Sequence, residues 1–283
     1  MFDRLSRSWR LARASWEVLK QDQRLLAFPL MAGAASLVVI AAFVGGAFGL
    51  GAFDGLHGGR SVTPAQFLAA LAFYVVLYFV TFYANAALVA AVLIRFDGGT
   101  PTVGDGLRAA NARLGSLFGY AVIAATVGMV LRAIQERVGF VGRLVAGLLG
   151  VGWTLATSLV VPVLVTRDVG AFEAVKESGA LLKTTWGENV AGRIGLSAAF
   201  FLLHVGVALA GVALAGAAVA LGNQWLAVLL VAALVVGELL LALVHVALDG
   251  IYTAALYRYA TGGQVGGGFD VDVLRSAYAP KKR

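Results

Sequence analysis

Long apolar runs separated by short polar segments set the pattern of this chain. A helix needs about 20 apolar residues to cross the roughly 30 Å hydrocarbon core of a bilayer. Six stretches read as crossings: Leu25–Ala52, Ala65–Ile94, Leu117–Leu131, Leu144–Val165, Ile194–Leu221 and Trp225–Tyr257. The third is the shortest, because Arg132, Glu136 and Arg137 cut its apolar run. The fourth carries Pro162 near its end, which predicts a kink rather than a stop. The predicted fold is all-α, a polytopic integral membrane bundle of six transmembrane helices.

Composition agrees. Of 283 residues, 60% are hydrophobic and 13% charged, whereas soluble domains carry about 25% charged residues. The 36 glycines are scattered through apolar runs, as close helix packing in lipid requires. With no Cys, disulfides, thiolate metal sites and Cys nucleophiles are excluded.

The net charge of +7 is read as topology rather than as a nucleic-acid surface. Of 22 basic residues, 18 lie before the first span, between the second and third, between the fourth and fifth, or after the sixth. The other four are Arg60, Arg132, Arg137 and Arg143. This asymmetry predicts both termini in the cytoplasm. The N-terminus does not read as a cleavable signal peptide, because a polar helix precedes an apolar run too long for one.

Within Phe2–Lys20, Leu5, Trp9, Ala12, Trp16 and Leu19 recur at helical spacing, with Arg4, Arg7, Arg10 and Arg13 on the remaining surface. This predicts a basic amphipathic helix at the cytoplasmic interface. Similar segments recur. Arg13 to Leu19 matches Arg108 to Leu114 and Lys176 to Leu182, each with a basic residue six positions before a Leu. The chain is therefore read as one membrane domain, 1–283, built from three units of amphipathic helix plus hairpin (1–95, 96–166 and 167–260) and a tail, 261–283. Between spans two and three, Asp97-Gly98-Gly99-Thr100-Pro101-Thr102 predicts a turn, with Thr102 or Asp105 capping the next helix. A phosphate-cradling loop there would lack its Lys-Ser/Thr ending.

Ionisable groups within a span are costly and mark candidate sites. Glu238, His245 and Asp249 lie seven and four residues apart, on one face of the sixth helix. His204 on the fifth approaches that face at mid-depth. A carboxylate beside an imidazole in low dielectric is what a proton relay or ion pathway needs. The competing reading is structural, with Glu238 hydrogen-bonding a neighbouring helix and Asp249 near the interface. On the second helix, Tyr74, Tyr78, Thr81 and Asn85 share a face, with Tyr83 off it. They either bridge helices or line a polar cavity. Gly45 and Gly49, and Gly206, Gly211 and Gly216, predict close packing within the chain or in a homo-oligomer.

Catalytic constellations are poor. Ser197 with His245 lacks the second Gly of an intramembrane serine protease motif. With His57 in an external loop, no metal site is expected, and no cofactor.

One set of residues carries a resemblance. It comprises Trp9, Ser15, Val18-Leu19, Asp22, Leu25-Leu26 and Phe28-Pro29, then Gly139, Gly142-Arg143, Trp153 and Pro162. It continues with Ala174, Ser178, Leu181-Leu182-Lys183, Thr185-Trp186-Gly187-Glu188, Ala255-Leu256-Tyr257, Tyr259 and Gly262. In this order they resemble a family of six-helix bacterial and archaeal membrane proteins catalogued as a domain of unknown function. The resemblance covers nearly the whole chain. It implies a fold but no activity, substrate or catalytic residue. From the residues themselves, Trp186-Gly187-Glu188 reads as a corner. Trp186 sits at headgroup depth, Gly187 ends the amphipathic helix, and Glu188 lies near the next helix N-terminus.

The expected function is non-enzymatic transport, by a channel or carrier for ions or small solutes, with a polar pathway lined by helices 2, 5 and 6. The alternative is a non-catalytic scaffold that binds a cytoplasmic protein partner through its amphipathic helices and the tail Lys281-Lys282-Arg283. A lipid-modifying enzyme is the remote third. The lipid bilayer is the one partner common to all three.

Overall fold

The structure is a computed structural model and describes residues 13–49, 63–184 and 186–262. Every regular element among them is helical. In chain order they are α1 (13–21), a 3-10 turn (Gln23–Leu26), α2 (Ala27–Gly49), α3 (Pro64–Phe96), α4 (Val103–Asn111) and α5 (Leu114–Arg137). Then come α6 (Phe140–Ala156), α7 (Val160–Thr166), α8 (Ala171–Thr184), α9 (Trp186–Ala220) and α10 (Gln224–Ala260). Six helical stretches are long and apolar enough to cross a membrane: Gln23–Phe48, Pro64–Phe96, Leu114–Arg137, Phe140–Thr166, Leu196–Ala220 and Gln224–Ala260. The chain is a multi-pass helical membrane protein. Arg4, Arg7, Trp9 and Arg10, the loop with His57, and the tail 263–283 lie outside the described residues.

Two predicted spans differ in detail. The third runs from Leu114 through Arg132 and Glu136 to Arg137, longer than its apolar run. Its charges are matched locally, since Arg132 Nε donates to Glu136 Oε1 one turn on at 3.0 Å. The fourth is two helices rather than one kinked at Pro162. The break falls at Thr157–Leu159, and Pro162 sits in the first turn of α7. There a helix has no intrahelical use for an N–H, so proline costs nothing. The predicted corner also shifts by a few residues. α8 ends at Thr184, and Gly187 lies inside the first turn of α9 rather than ending α8.

The chain divides into two compact units. One holds α2 to α8, with α3 packing on α2, α4, α5 and α7. Its core gathers around the second half of α3, where Ala86 to Val92 are buried, with Phe28, Leu117, Ala121, Val160, Val163 and Leu164. The run of alanines on α3 lets α4 approach closely. A Cβ at Gly106 would stand 2.5 Å from the Ala87 carbonyl oxygen and 2.7 Å from the Phe28 ring. The turn into α4 uses Gly98 at φ 83, a conformation that side chains resist. Thr102 then caps α4, its hydroxyl accepting from Asp105 N at 3.2 Å while Asp105 Oδ2 accepts from Thr102 N at 3.0 Å. Arg113 pairs with Asp168, and Ser116 donates to the Val169 carbonyl at 3.0 Å, tying the start of α5 to the loop before α8. Beyond this core, Leu37, Val38, Phe67, Leu68, Leu144 and Leu148 are exposed, an apolar surface of the kind that acyl chains solvate.

The other unit holds α1, the 3-10 turn, α9 and α10. α9 and α10 form a hairpin, closed at Gly222 (φ 74) and capped by Asn223, whose Oδ1 accepts from Leu226 N at 3.0 Å. A Cβ at Gly211 would stand 2.6 Å from the Leu234 side chain. Gly45, Gly206 and Gly216 face open space. The 3-10 turn packs on α10, whose residues Ala247 to Tyr257 are mostly buried. Ser15, Ala110 and Ser178, which occupy matched positions in the three amphipathic segments, are each 0% exposed.

Candidate functional site

The α9–α10 hairpin fixes which ionisable groups meet. As α9 positions rise from 200 to 204 to 211, their α10 partners fall from 245 to 238 to 234. His204 Nδ1 lies 2.5 Å from Glu238 Oε2, and both side chains are about seven-tenths buried (28% and 29% exposed). His245 stacks flat on Phe200, centroids 4.3 Å apart and rings 1° from parallel. The His204 and His245 rings are 6.0 Å apart, centre to centre. Asp249 follows His245 by one turn on the same face of α10. Four of the residues singled out from sequence therefore form one row within this unit.

Glu238 is only half satisfied. Its Oε2 meets His204, whereas its Oε1 is buried with no hydrogen-bond partner. Among the described residues, Ser15 Oγ is the other buried side-chain oxygen in that state. An orphaned buried acceptor costs about 1–3 kcal/mol, so the position is one that a proton, ion or solute would relieve.

The α3 stripe behaves differently. Tyr74 Oη receives a hydrogen bond from Arg132 Nη1 at 3.3 Å. Tyr78 stacks on Phe82, which stacks in turn on Tyr120. Thr81 is exposed and spends its hydroxyl on the Leu77 carbonyl of its own helix at 2.9 Å. Asn85 is half-buried. Tyr83, off the stripe, donates to Asn111 Oδ1 at 2.8 Å and holds α4. The four stripe residues are not gathered into one constellation. Tyr74 reaches a neighbouring helix through Arg132, whereas the Thr81 hydroxyl bonds within its own helix.

Two participants were not singled out from sequence. Phe200 lies one turn before His204, so an aromatic on the histidine's own face was the available signal. Arg132 enters the sequence reading only as a topology marker and as a break in the third apolar run, although its partner Glu136 at i+4 is visible there. Ser197 is exposed, and no hydrogen bond joins it to His245 among the described residues. No group of three or more His, Asp or Glu side chains among the described residues could hold a metal ion.

No curated protein and no solved structure matches this chain. Residues 64–268, from the first residue of α3 to beyond the end of α10, match the model described as "Family of unknown function (DUF6159)". Six apolar helices and a match over well over half of its length place the chain in that family, to which it belongs.

Proposed function

We propose that the protein is a membrane transport protein, a channel or carrier for ions or small solutes, whose polar pathway follows the row on α9 and α10. The observation that carries this reading is the His204–Glu238 contact inside an apolar hairpin, with Glu238 Oε1 buried and unpartnered. Ionisable groups in a span are expensive, and a half-satisfied carboxylate costs more than a pair closed on itself. His245 and Asp249 extend the row along the same face of α10. From Glu238 to Asp249 is eleven residues, about 16 Å along the helix and half of a roughly 30 Å hydrocarbon core.

The excess of Lys and Arg on one set of segments supports a topology with both termini in the cytoplasm, and the resemblance to bacterial and archaeal membrane proteins implies the inner membrane of a prokaryote. The test is flux in proteoliposomes under imposed ion, solute and proton gradients, wild type against Glu238→Gln. Flux above empty liposomes that the substitution abolishes is the expected result. Absence of flux under every gradient overturns the reading in favour of a scaffold whose polar rows are packing contacts.

A further inference from the structure

We infer that the species bound and moved along this row is a proton, with Glu238 as its terminal site and His204 as its exchange partner. This deepens the transport reading and rests on it.

Among the described residues, the donor set does not fit the common cations. A resident metal needs several converging ligands, and no three His, Asp or Glu side chains converge among the described residues. The two closest candidates, His204 and Glu238, are spent on each other at 2.5 Å. A bare alkali ion needs a cage of about six oxygens in place of its water, whereas Glu238 Oε1 is one buried oxygen without a partner. A proton needs only one lone pair, and that is what the site leaves open.

The arrangement also supplies a route. The contact pairs a carboxyl oxygen with an imidazole nitrogen, so one proton serves both. When it passes, the O–H bond of neutral Glu238 breaks and an N–H bond forms at His204 Nδ1, giving carboxylate and imidazolium. Loss of the Nε2 proton toward His245 leaves a neutral ring protonated at Nδ1, which donates to the Glu238 carboxylate. The next proton enters at Glu238 Oε1, and a flip of the imidazole, with rotation of the carboxyl, returns the pair to its starting state. The 6.0 Å between ring centres suits one bridging water. Phe200, flat against His245, holds that ring by its face rather than by its nitrogen edge. Asp249, one turn further along the same face of α10, is the next carboxylate in the row.

Among the described residues of this unit, few other ionisable groups lie on the elements that carry or pack on the pair. Between Leu196 and Ala220, α9 contributes His204 as its sole ionisable side chain. α10 contributes Glu238, His245 and Asp249, then Tyr252, Tyr257, Arg258 and Tyr259 towards its end. The 3-10 turn that packs on α10 contains Arg24, whose N–H is held by the neighbouring Asp22 carboxylate.

The experiment has two arms on the full chain in liposomes. The first is infrared difference spectroscopy across a pH titration, with glutamate carboxyls isotopically labelled. A carboxylic C=O band that titrates in wild type, is absent in Glu238→Gln and shifts in His204→Asn supports proton exchange at this pair. A wild-type Glu238 that keeps one protonation state across the whole titration overturns the inference, and that arm needs no variant to fold. The second arm is proton flux from a trapped pH indicator. Ion or solute flux that runs without proton movement leaves the transport reading standing and overturns the proton. A titrating band without flux of any kind supports the proton site and overturns transport.

Discussion

The Ser178 hydroxyl accepts a hydrogen bond from the Leu159 N–H at 3.0 Å, and it donates to the Ala156 carbonyl at 2.6 Å. One side chain of α8 thus satisfies two of the backbone groups released where α6 gives way to α7. A broken helix in a membrane persists only where such groups find partners within the protein. Ser178 is fully buried, so water does not take its place.

Replacing Ser178 with Ala is therefore expected to destabilise the protein by about 1–3 kcal/mol, the cost of leaving buried backbone groups unpaired. Thermal unfolding in detergent measures it. Ser178→Thr, which keeps the hydroxyl, is expected to lose less. An Ala variant as stable as wild type shows that the break needs no stitch.

Gly106→Ala is expected to detach α4 from α3. The new methyl would overlap the Ala87 carbonyl and the Phe28 ring, both in a packed core. Overpacking of this kind costs about 1–3 kcal/mol. Gly104→Ala, one turn-face away with only Thr102 Oγ1 near it at 3.6 Å, serves as the control and is expected to be tolerated.

Asp105 gives the α4 cap a pH dependence. The Thr102 hydroxyl and then its backbone N–H, assisted by Arg108, hold the Asp105 carboxyl below its ordinary value of 3.8. A depressed folded-state pKa contributes stability that is complete above the unfolded value and disappears as pH falls through the folded one. The stability gap between wild type and Asp105→Asn is thus expected to be constant at neutral pH and to close below about pH 4. A gap that persists unchanged at acid pH refutes the cap's electrostatic share.

The His204–Glu238 pair is expected to be strongly non-additive. His204→Ala orphans both oxygens of Glu238 and should cost about 1–3 kcal/mol. His204→Phe combined with Glu238→Leu removes both polar partners and is expected to be neutral or stabilising. The double variant should also abolish flux. Wild-type flux in a stable double variant would show the pair to be packing alone.

Much of the architecture is legible in one dimension. Spans are recognised by length and apolarity, which are local properties, so all six crossings can be read from the chain. The cap at Thr102 and Asp105 is equally local, since its partners are three residues apart. What sequence misplaced was the break in span four. Pro162 drew attention to itself, yet the chain parts at Thr157–Leu159, because the stabilising hydroxyl belongs to Ser178, about twenty residues away.

By itself the sequence determined the solvent, the number of crossings and the face of α10 on which Glu238, His245 and Asp249 stand. Helical periodicity and hydropathy need no partner to be read. Only the tertiary structure decided that Glu238 meets His204 and keeps one oxygen orphaned, that His245 lies on Phe200, and that Tyr74 turns to Arg132. Those choices depend on hairpin register and helix rotation. Where the spanning helices are apolar on nearly every side, no amphipathic stripe marks the face that a neighbour will take.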